Sequence, residues 1–142
     1  MYKKILVALE NGPADERLLP HISRLAQQVG AGLLLLHVAD GWAARNFEQL
    51  KLAESAEMKA DREYLENRAA ELRAAGLQVE TQLALGNPPN EIVRIAIAAE
   101  CDLIALASHG HKLIGDIVYG STIDKVRHNT TIPLLVVSAV VK

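Results

Sequence analysis

Short apolar runs alternate along the chain with longer segments in which apolar residues recur every three or four positions. The runs predict buried β-strands, and the periodic segments between them predict amphipathic helices. Strands are predicted at residues 4–9, 33–38, 77–85, 102–107 and 134–137. Helices are predicted at residues 14–29, within 46–75, at 90–100 and at 122–128.

The predicted order of the elements is βαβαβαβαβ. Such alternation favours an α/β fold, with a parallel sheet and right-handed crossovers. No repeat, low-complexity segment or linker interrupts the pattern, so residues 1–142 are expected to form one domain. Ligands of such sheets bind beyond the carboxyl ends of the strands, where the strand order reverses. A site is therefore expected in the loops after the first, second and fourth strands.

Composition narrows the class of protein. Half of the 142 residues are apolar and 23% are charged, which is typical of a globular domain. The formal net charge of −2 offers no electrostatic basis for binding nucleic acid. No window is long and apolar enough to span a bilayer, and Met1 leads directly into a strand without a signal-peptide pattern. A single cysteine, Cys101, cannot form an internal disulfide, which favours a reducing cytoplasm. The chain is therefore expected to be cytoplasmic, with no nucleic-acid partner and no membrane insertion.

Candidate chemistry is concentrated after the fourth predicted strand. The sequence SHGHK occupies residues 108–112, and Gly120-Ser121-Thr122 stands where the last helix is predicted to begin. Gly110 permits a positive φ and a close approach of a ligand to backbone amides. Gly120 and Ser121 would bring free amides, a hydroxyl and the positive end of a helix dipole to one point. This pattern predicts an anion cradle, while a plain turn and a plain helix start explain the same residues equally well.

Several other kinds of site are disfavoured. The Rossmann G-x-G-x-x-G fingerprint and the Walker A motif are absent, and Ser108 lacks the glycine that a nucleophile elbow has two residues before the serine. His109 and His111 have no third potential ligand nearby, so no metal site is predicted. Asp116 and Asp124 flank the loop without a spacing that indicates catalysis. No catalytic residue is predicted.

The segment from Ala107 to Ser121 resembles the nucleotide motif of the universal stress protein family, Gly-x-x-Gly, nine residues, then Gly-Ser or Gly-Thr. Ala107 stands in the place of the first glycine, and Gly110 and Gly120 occupy the other two. Further segments resemble the family in the same order along the chain. They are KKILVAL at 3–9 followed by Glu10 where aspartate is usual, LHV at 36–38, LGNP at 85–88, CDLI at 101–104 and IPLLVV at 132–137.

The resemblance implies a doubly wound, adenine-nucleotide alpha-hydrolase-like domain with strand order 3-2-1-4-5, four helices and usually a homodimer. It implies ATP, possibly with Mg²⁺, with the phosphates on the backbone at Gly110, Gly120 and Ser121. Ala107 would lie near the ribose. The predicted nucleotide-binding residues are Leu9, Glu10, Val38, Ala107, His109, Gly110, Lys112, Gly120, Ser121 and Thr122.

Three classes of function stay open. The leading hypothesis is a stress-response regulator that changes its state or partners with ATP. A slow ATPase or phosphotransferase is disfavoured because no carboxylate in the motif is placed as a base. A nucleotide-free dimeric interaction module is favoured if Ala107 closes the pocket. The dimer is predicted to form through the strand from Leu134 to Val137, and its continuation to Val141, because an apolar edge strand invites pairing with a second copy.

Overall fold

The computed structural model describes residues 1–39, 56–109 and 114–139. Within these ranges, strands and helices alternate in the predicted order. The elements are β1 (Lys4–Ala8), α1 (Asp15–Val29), β2 (Gly32–Ala39), α2 (Ala56–Ala74), β3 (Val79–Leu85), α3 (Pro88–Ala98), β4 (Leu103–Ser108), α4 (Ile114–Asn129) and β5 (Leu134–Ser138).

The five strands form one parallel sheet in the order β3-β2-β1-β4-β5. The chain moves outward from β1 to β2 and β3, and then returns to the other side of β1 for β4 and β5. The strand order therefore reverses between β1 and β4, and the predicted order 3-2-1-4-5 is confirmed. A crevice at the carboxyl ends of β1 and β4 is where a ligand is expected in such a sheet.

The core has two layers because successive strand residues point to opposite faces of the sheet. Ile5, Val7 and Leu35 belong to the layer that packs against α1 and α2. Leu6 and Leu36 belong to the layer that packs against α3 and α4. None of the helices in the described part of the chain is long and apolar enough to cross a bilayer.

The third helix begins earlier than predicted. It starts at Pro88 rather than at Asn90, so Pro88 and Pro89, which the prediction left between the third strand and this helix, lie in its first turn. The side chain of Asn87 caps the helix by accepting a hydrogen bond from the Asn90 N–H at 3.3 Å. Proline suits this position because its fixed φ is helical and its missing N–H would have no partner there.

The last helix is also longer than predicted, which corrects one part of the predicted site. It begins at Ile114 rather than at Thr122, so Gly120 and Ser121 lie inside α4. The prediction that these two residues stand at a helix N-terminus, with free amides, was wrong. Glycine often marks a helix boundary, but inside a helix it costs only about 1 kcal/mol relative to alanine. Without a proline nearby, that cost does not end the helix.

Candidate functional site

A cavity opens beyond the carboxyl ends of β1, β2 and β4, at the reversal of the strand order. We call it the switch-point cavity. Its described lining is mainly aliphatic, with a few polar side chains among the apolar ones, and consists of Ala8, Leu9, Glu10, Leu36, His37, Val38, Pro88, Ile92, Leu106, Ala107, Thr122 and Ile123. Apolar walls with few polar groups are typical of sites that hold a small organic ligand.

Backbone groups of β2 point into this cavity beside the end of β1. The Leu9 N–H donates to the Leu36 carbonyl at 2.8 Å, so Leu36 directs its peptide groups towards β1. Val38 is two residues further along and, by alternation, directs its N–H and C=O to the same side. The paired part of β1 ends opposite Leu36. The Val38 peptide groups therefore border the cavity with a donor and an acceptor.

The Glu10 and His109 side chains form a pair at the ends of β1 and β4. His109 Nε2 lies 2.8 Å from Glu10 Oε1 and 2.7 Å from Oε2, and both side chains are half-buried. Burial raises the pKa of the Glu10 carboxyl above its ordinary value, and the hydrogen bond to His109 acts in the opposite direction.

His37 forms part of the cavity wall and is held at both ring nitrogens. Its Nδ1–H donates to the Leu9 carbonyl at 2.9 Å, and its Nε2 lies 3.5 Å from Asp61 Oδ2 in α2. The ring thus connects the loop after β1 to both β2 and α2. In the sequence, His37 appeared only as the middle residue of the family-like segment LHV at 36–38.

Asp15 supports the loop that carries Glu10. Its carboxylate is fully buried and accepts hydrogen bonds from the Glu10 and Asn11 amides, both at 3.0 Å. It also accepts one from the Tyr64 hydroxyl at 2.8 Å, and burial together with this bond raises the pKa of Tyr64. The bonds hold a tight turn in which Asn11 has a φ of 57°. In the sequence Asp15 is indistinguishable from an ordinary acidic residue in the first turn of a helix.

Comparison with protein families identifies the chain. The family model described as the universal stress protein family matches residues 1–138. The chain belongs to the universal stress protein family. It is similar to universal stress protein MJ0577 of Methanocaldococcus jannaschii, with 31% identity over an alignment of 159 positions, gaps included, that covers 96% of this chain and 95% of that protein. The solved structure of MJ0577 covers 100% of this chain and 99% of its own, with a TM-score of 0.82 and 30% identity.

Two solved complexes share the fold. One is a universal stress protein with cAMP, which has a TM-score of 0.72 and 17% identity and covers 98% of each chain. The other is the Archaeoglobus fulgidus universal stress protein with dAMP, which has a TM-score of 0.70 and 20% identity and covers 96% of this chain and 98% of its own. The predicted family and the adenine-nucleotide alpha-hydrolase-like fold are confirmed.

In this universal stress protein, half of the predicted binding residues line the switch-point cavity. They are Leu9, Glu10, Val38, Ala107 and Thr122. His109 adjoins the cavity through Glu10. Gly110 and Lys112 lie outside the described residues, and Gly120 and Ser121 lie within α4. Among the described residues, no group of three or more His, Cys, Asp or Glu side chains could hold a metal ion.

Proposed function

We propose that this universal stress protein binds an adenine nucleotide, with ATP as the physiological ligand, and changes its state or its partners with the nucleotide. The observation that carries the proposal is that five of the predicted nucleotide-binding residues line one cavity at the strand-order reversal. Relatives with the same fold form complexes with cAMP and dAMP, which supports an adenine nucleotide as the ligand class.

The adenine ring fits the apolar end of the cavity. Leu9, Val38 and Ile92 offer aliphatic surface for the faces of the ring. The N–H and C=O of Val38 offer one donor and one acceptor for its edge. An adenine edge presents a ring nitrogen acceptor beside an amino donor, which complements that pair of backbone groups. A guanine edge presents a carbonyl beside a ring N–H instead, so the same pair favours adenine.

The ribose and phosphates are proposed to follow β4 and its loop. Ala107 borders the ribose, and Gly110 lets the phosphates approach the backbone, with Lys112 as a source of positive charge. Because the amides of Gly120 and Ser121 lie within α4, they are not free for the phosphates. Gly120 would instead leave room by having no side chain, and Ser121 would offer its hydroxyl. Mg²⁺ would be held chiefly by the phosphates.

We also propose a homodimer that pairs through β5. The strand is at the edge of the sheet and its Val136 side chain is 45% exposed. The Ile104 N–H donates to the Pro133 carbonyl and the Ala139 N–H donates to the Ser108 carbonyl. The odd-numbered residues of β5 therefore direct their backbone N–H and C=O groups towards β4. Even-numbered residues such as Val136 therefore direct their N–H and C=O to the outer edge, where a second copy could pair.

Mass spectrometry of the protein purified without added nucleotide tests the proposed function. Native and denatured spectra are expected to show co-purified ATP, and calorimetry of the emptied protein is expected to show binding of ATP in preference to GTP. Co-purified ADP or a phosphoprotein would favour the slow ATPase or phosphotransferase. An empty protein that gives no heat with ATP would favour the nucleotide-free interaction module and contradict the proposal.

A further inference from the structure

Strands β1 and β4 stop pairing with each other before they end. Their last paired residues are Val7 and Ala105. On its other side, β1 continues to pair with β2 as far as Ala8. Strand β4 likewise continues to pair with β5 as far as Ser108. A gap therefore opens between the two central strands on the side where the nucleotide is proposed to bind.

The Glu10–His109 pair crosses this gap. By alternation, Glu10 follows Leu6 and Ala8 on the face of the sheet that α3 and α4 cover. His109 follows Ala105 and Ala107 on the face that α1 covers. Their contact at 2.7 and 2.8 Å thus passes between the strand ends, from one face of the sheet to the other.

A second cavity lies on the other side of the pair, beside the start of α1. It is lined by Glu10, Gly12, Pro13, Ala14, Glu16, Arg17, His109 and Ala139. Glu10 lines this cavity as well as the switch-point cavity. The pair is therefore a partition between two cavities, and it forms one end of the switch-point cavity.

Both members of the pair are anchored behind the contact. The Glu10 amide donates to the buried Asp15 carboxylate, which fixes Glu10 to α1. On the other side, the Ser108 carbonyl accepts from the Ala139 N–H at 2.7 Å, which fixes the residue before His109 to the chain that follows β5. A hydrogen bond to an ionised carboxylate between two anchored segments holds them at one separation.

We propose that Glu10 and His109 are positioning residues that set the width of the gap and, through it, the shape of the end of the switch-point cavity where the nucleotide is proposed to bind. The inference rests on the proposed function. His109 directly follows the last residue of β4, so holding its ring fixes the carboxyl end of β4 against that of β1. With the backbone unmoved, an aspartate at residue 10 would be one methylene, about 1.5 Å, shorter and would leave its carboxylate beyond hydrogen-bond distance of His109 Nε2.

A double-mutant cycle on ATP affinity tests this inference. Glu10→Asp keeps the carboxylate and loses the reach, while His109→Leu removes the donor. Each is expected to weaken ATP binding about ten-fold, at the lower end of what a charge-assisted hydrogen bond contributes, and the double variant is expected to be no weaker. His109→Gln, which keeps a donor near the position of Nε2, is expected to recover part of the loss.

The matched control is Glu80→Asp, which shortens the carboxylate of the Lys4–Glu80 ion pair near the opposite ends of the strands. It is expected to leave ATP affinity unchanged. In the protein without nucleotide, the imidazole NMR signal of His109 is expected to shift in Glu10→Asp and not in Glu80→Asp. Thermal unfolding of each variant verifies that it is folded before the titration.

Direct contact between Glu10 and the nucleotide makes different predictions. In that case His109→Leu would leave the affinity unchanged, or the two single losses would multiply to about a hundred-fold in the double variant. Either result overturns the positioning role while ATP binding by the wild type stands. A wild-type protein without affinity for ATP would instead overturn the proposed function, and the positioning role with it.

Discussion

Ala107 is the motif residue at which this chain departs from the family's first glycine. It lies in β4, paired with Val137, and its side chain is buried. Among the described residues other than glycine, positive φ occurs at Asn11 and Glu100 and not at Ala107. Its methyl group therefore adds no backbone strain and only narrows the cavity near the proposed ribose.

Replacing Ala107 with glycine is expected to tighten ATP binding by less than about ten-fold, because only the space of one methyl group is gained. Folding stability is expected to fall by about 0.5–1 kcal/mol, since glycine weakens a strand interior. Calorimetric titration and urea denaturation of both proteins measure the two effects. A wild type blind to ATP beside a glycine variant that binds it would show that the methyl group has closed the site.

At Glu10 the raised pKa links folding to pH. The folded protein holds the proton more tightly than the unfolded chain, so the contribution of Glu10 to stability falls as pH rises from its ordinary pKa of 4.5 through the raised value. The unfolding free energy of wild type minus that of Glu10→Gln is expected to decrease across that window. Urea denaturation between about pH 4 and pH 7 measures the difference.

Glu91 is the matched control for that experiment. Its hydrogen bonds to Arg94 lower its pKa, so its contribution to stability is present above pH 4.5 and is lost as pH falls through the lowered value. The unfolding free energy of wild type minus that of Glu91→Gln is therefore expected to rise with pH below 4.5 and to be constant above it. The same sign of slope for both glutamates would contradict the burial of Glu10 as the cause.

At the scale of the element, α4 decides what Gly120 can contribute. Because Gly120 lies inside the helix, a larger side chain there is not expected to end the helix, and under the proposed function it would take the space of the phosphates. Gly120→Val is expected to abolish ATP binding. Gly120→Ala is expected to weaken it less and to stabilise the helix by about 1 kcal/mol. Calorimetry with circular dichroism as a check on folding measures both, and a folded valine variant with wild-type affinity would place the phosphates elsewhere.

At the level of the whole molecule, the β5 edge of the sheet is where a second copy is proposed to pair. Proline at Val136 removes an N–H that faces outward and leaves the hydrogen bonds to β4 intact. Val136→Pro is expected to give a folded monomer in light scattering at micromolar concentration, while Val136→Ala keeps the N–H and remains a dimer. A monomeric wild type, or a dimeric proline variant, would count against pairing through β5.

Local patterns were sufficient for most of the fold. Apolar runs such as residues 33–38 predicted the strands because a parallel sheet buries both faces of its inner strands. The misplaced boundaries lie where glycine or proline has two possible roles. Pro88 begins a helix that was predicted to begin at Asn90, and Gly120 lies inside a helix that was predicted to begin at Thr122. In both cases the residue type is compatible with either role, and the helical turns next to the residue decide where the helix begins.

Periodicity was enough to predict the order of the elements, and the resemblance carried by the motif and by segments along the chain implied the family and five residues of the switch-point cavity. The folded structure was needed to show that Glu10 contacts His109, that His37 donates to the Leu9 carbonyl and that Asp15 holds the loop after β1. Glu10 and His109 are 99 residues apart, and no local pattern relates them. Their contact depends on the register of β1 against β4 and on where that pairing ends, which the packed sheet determines.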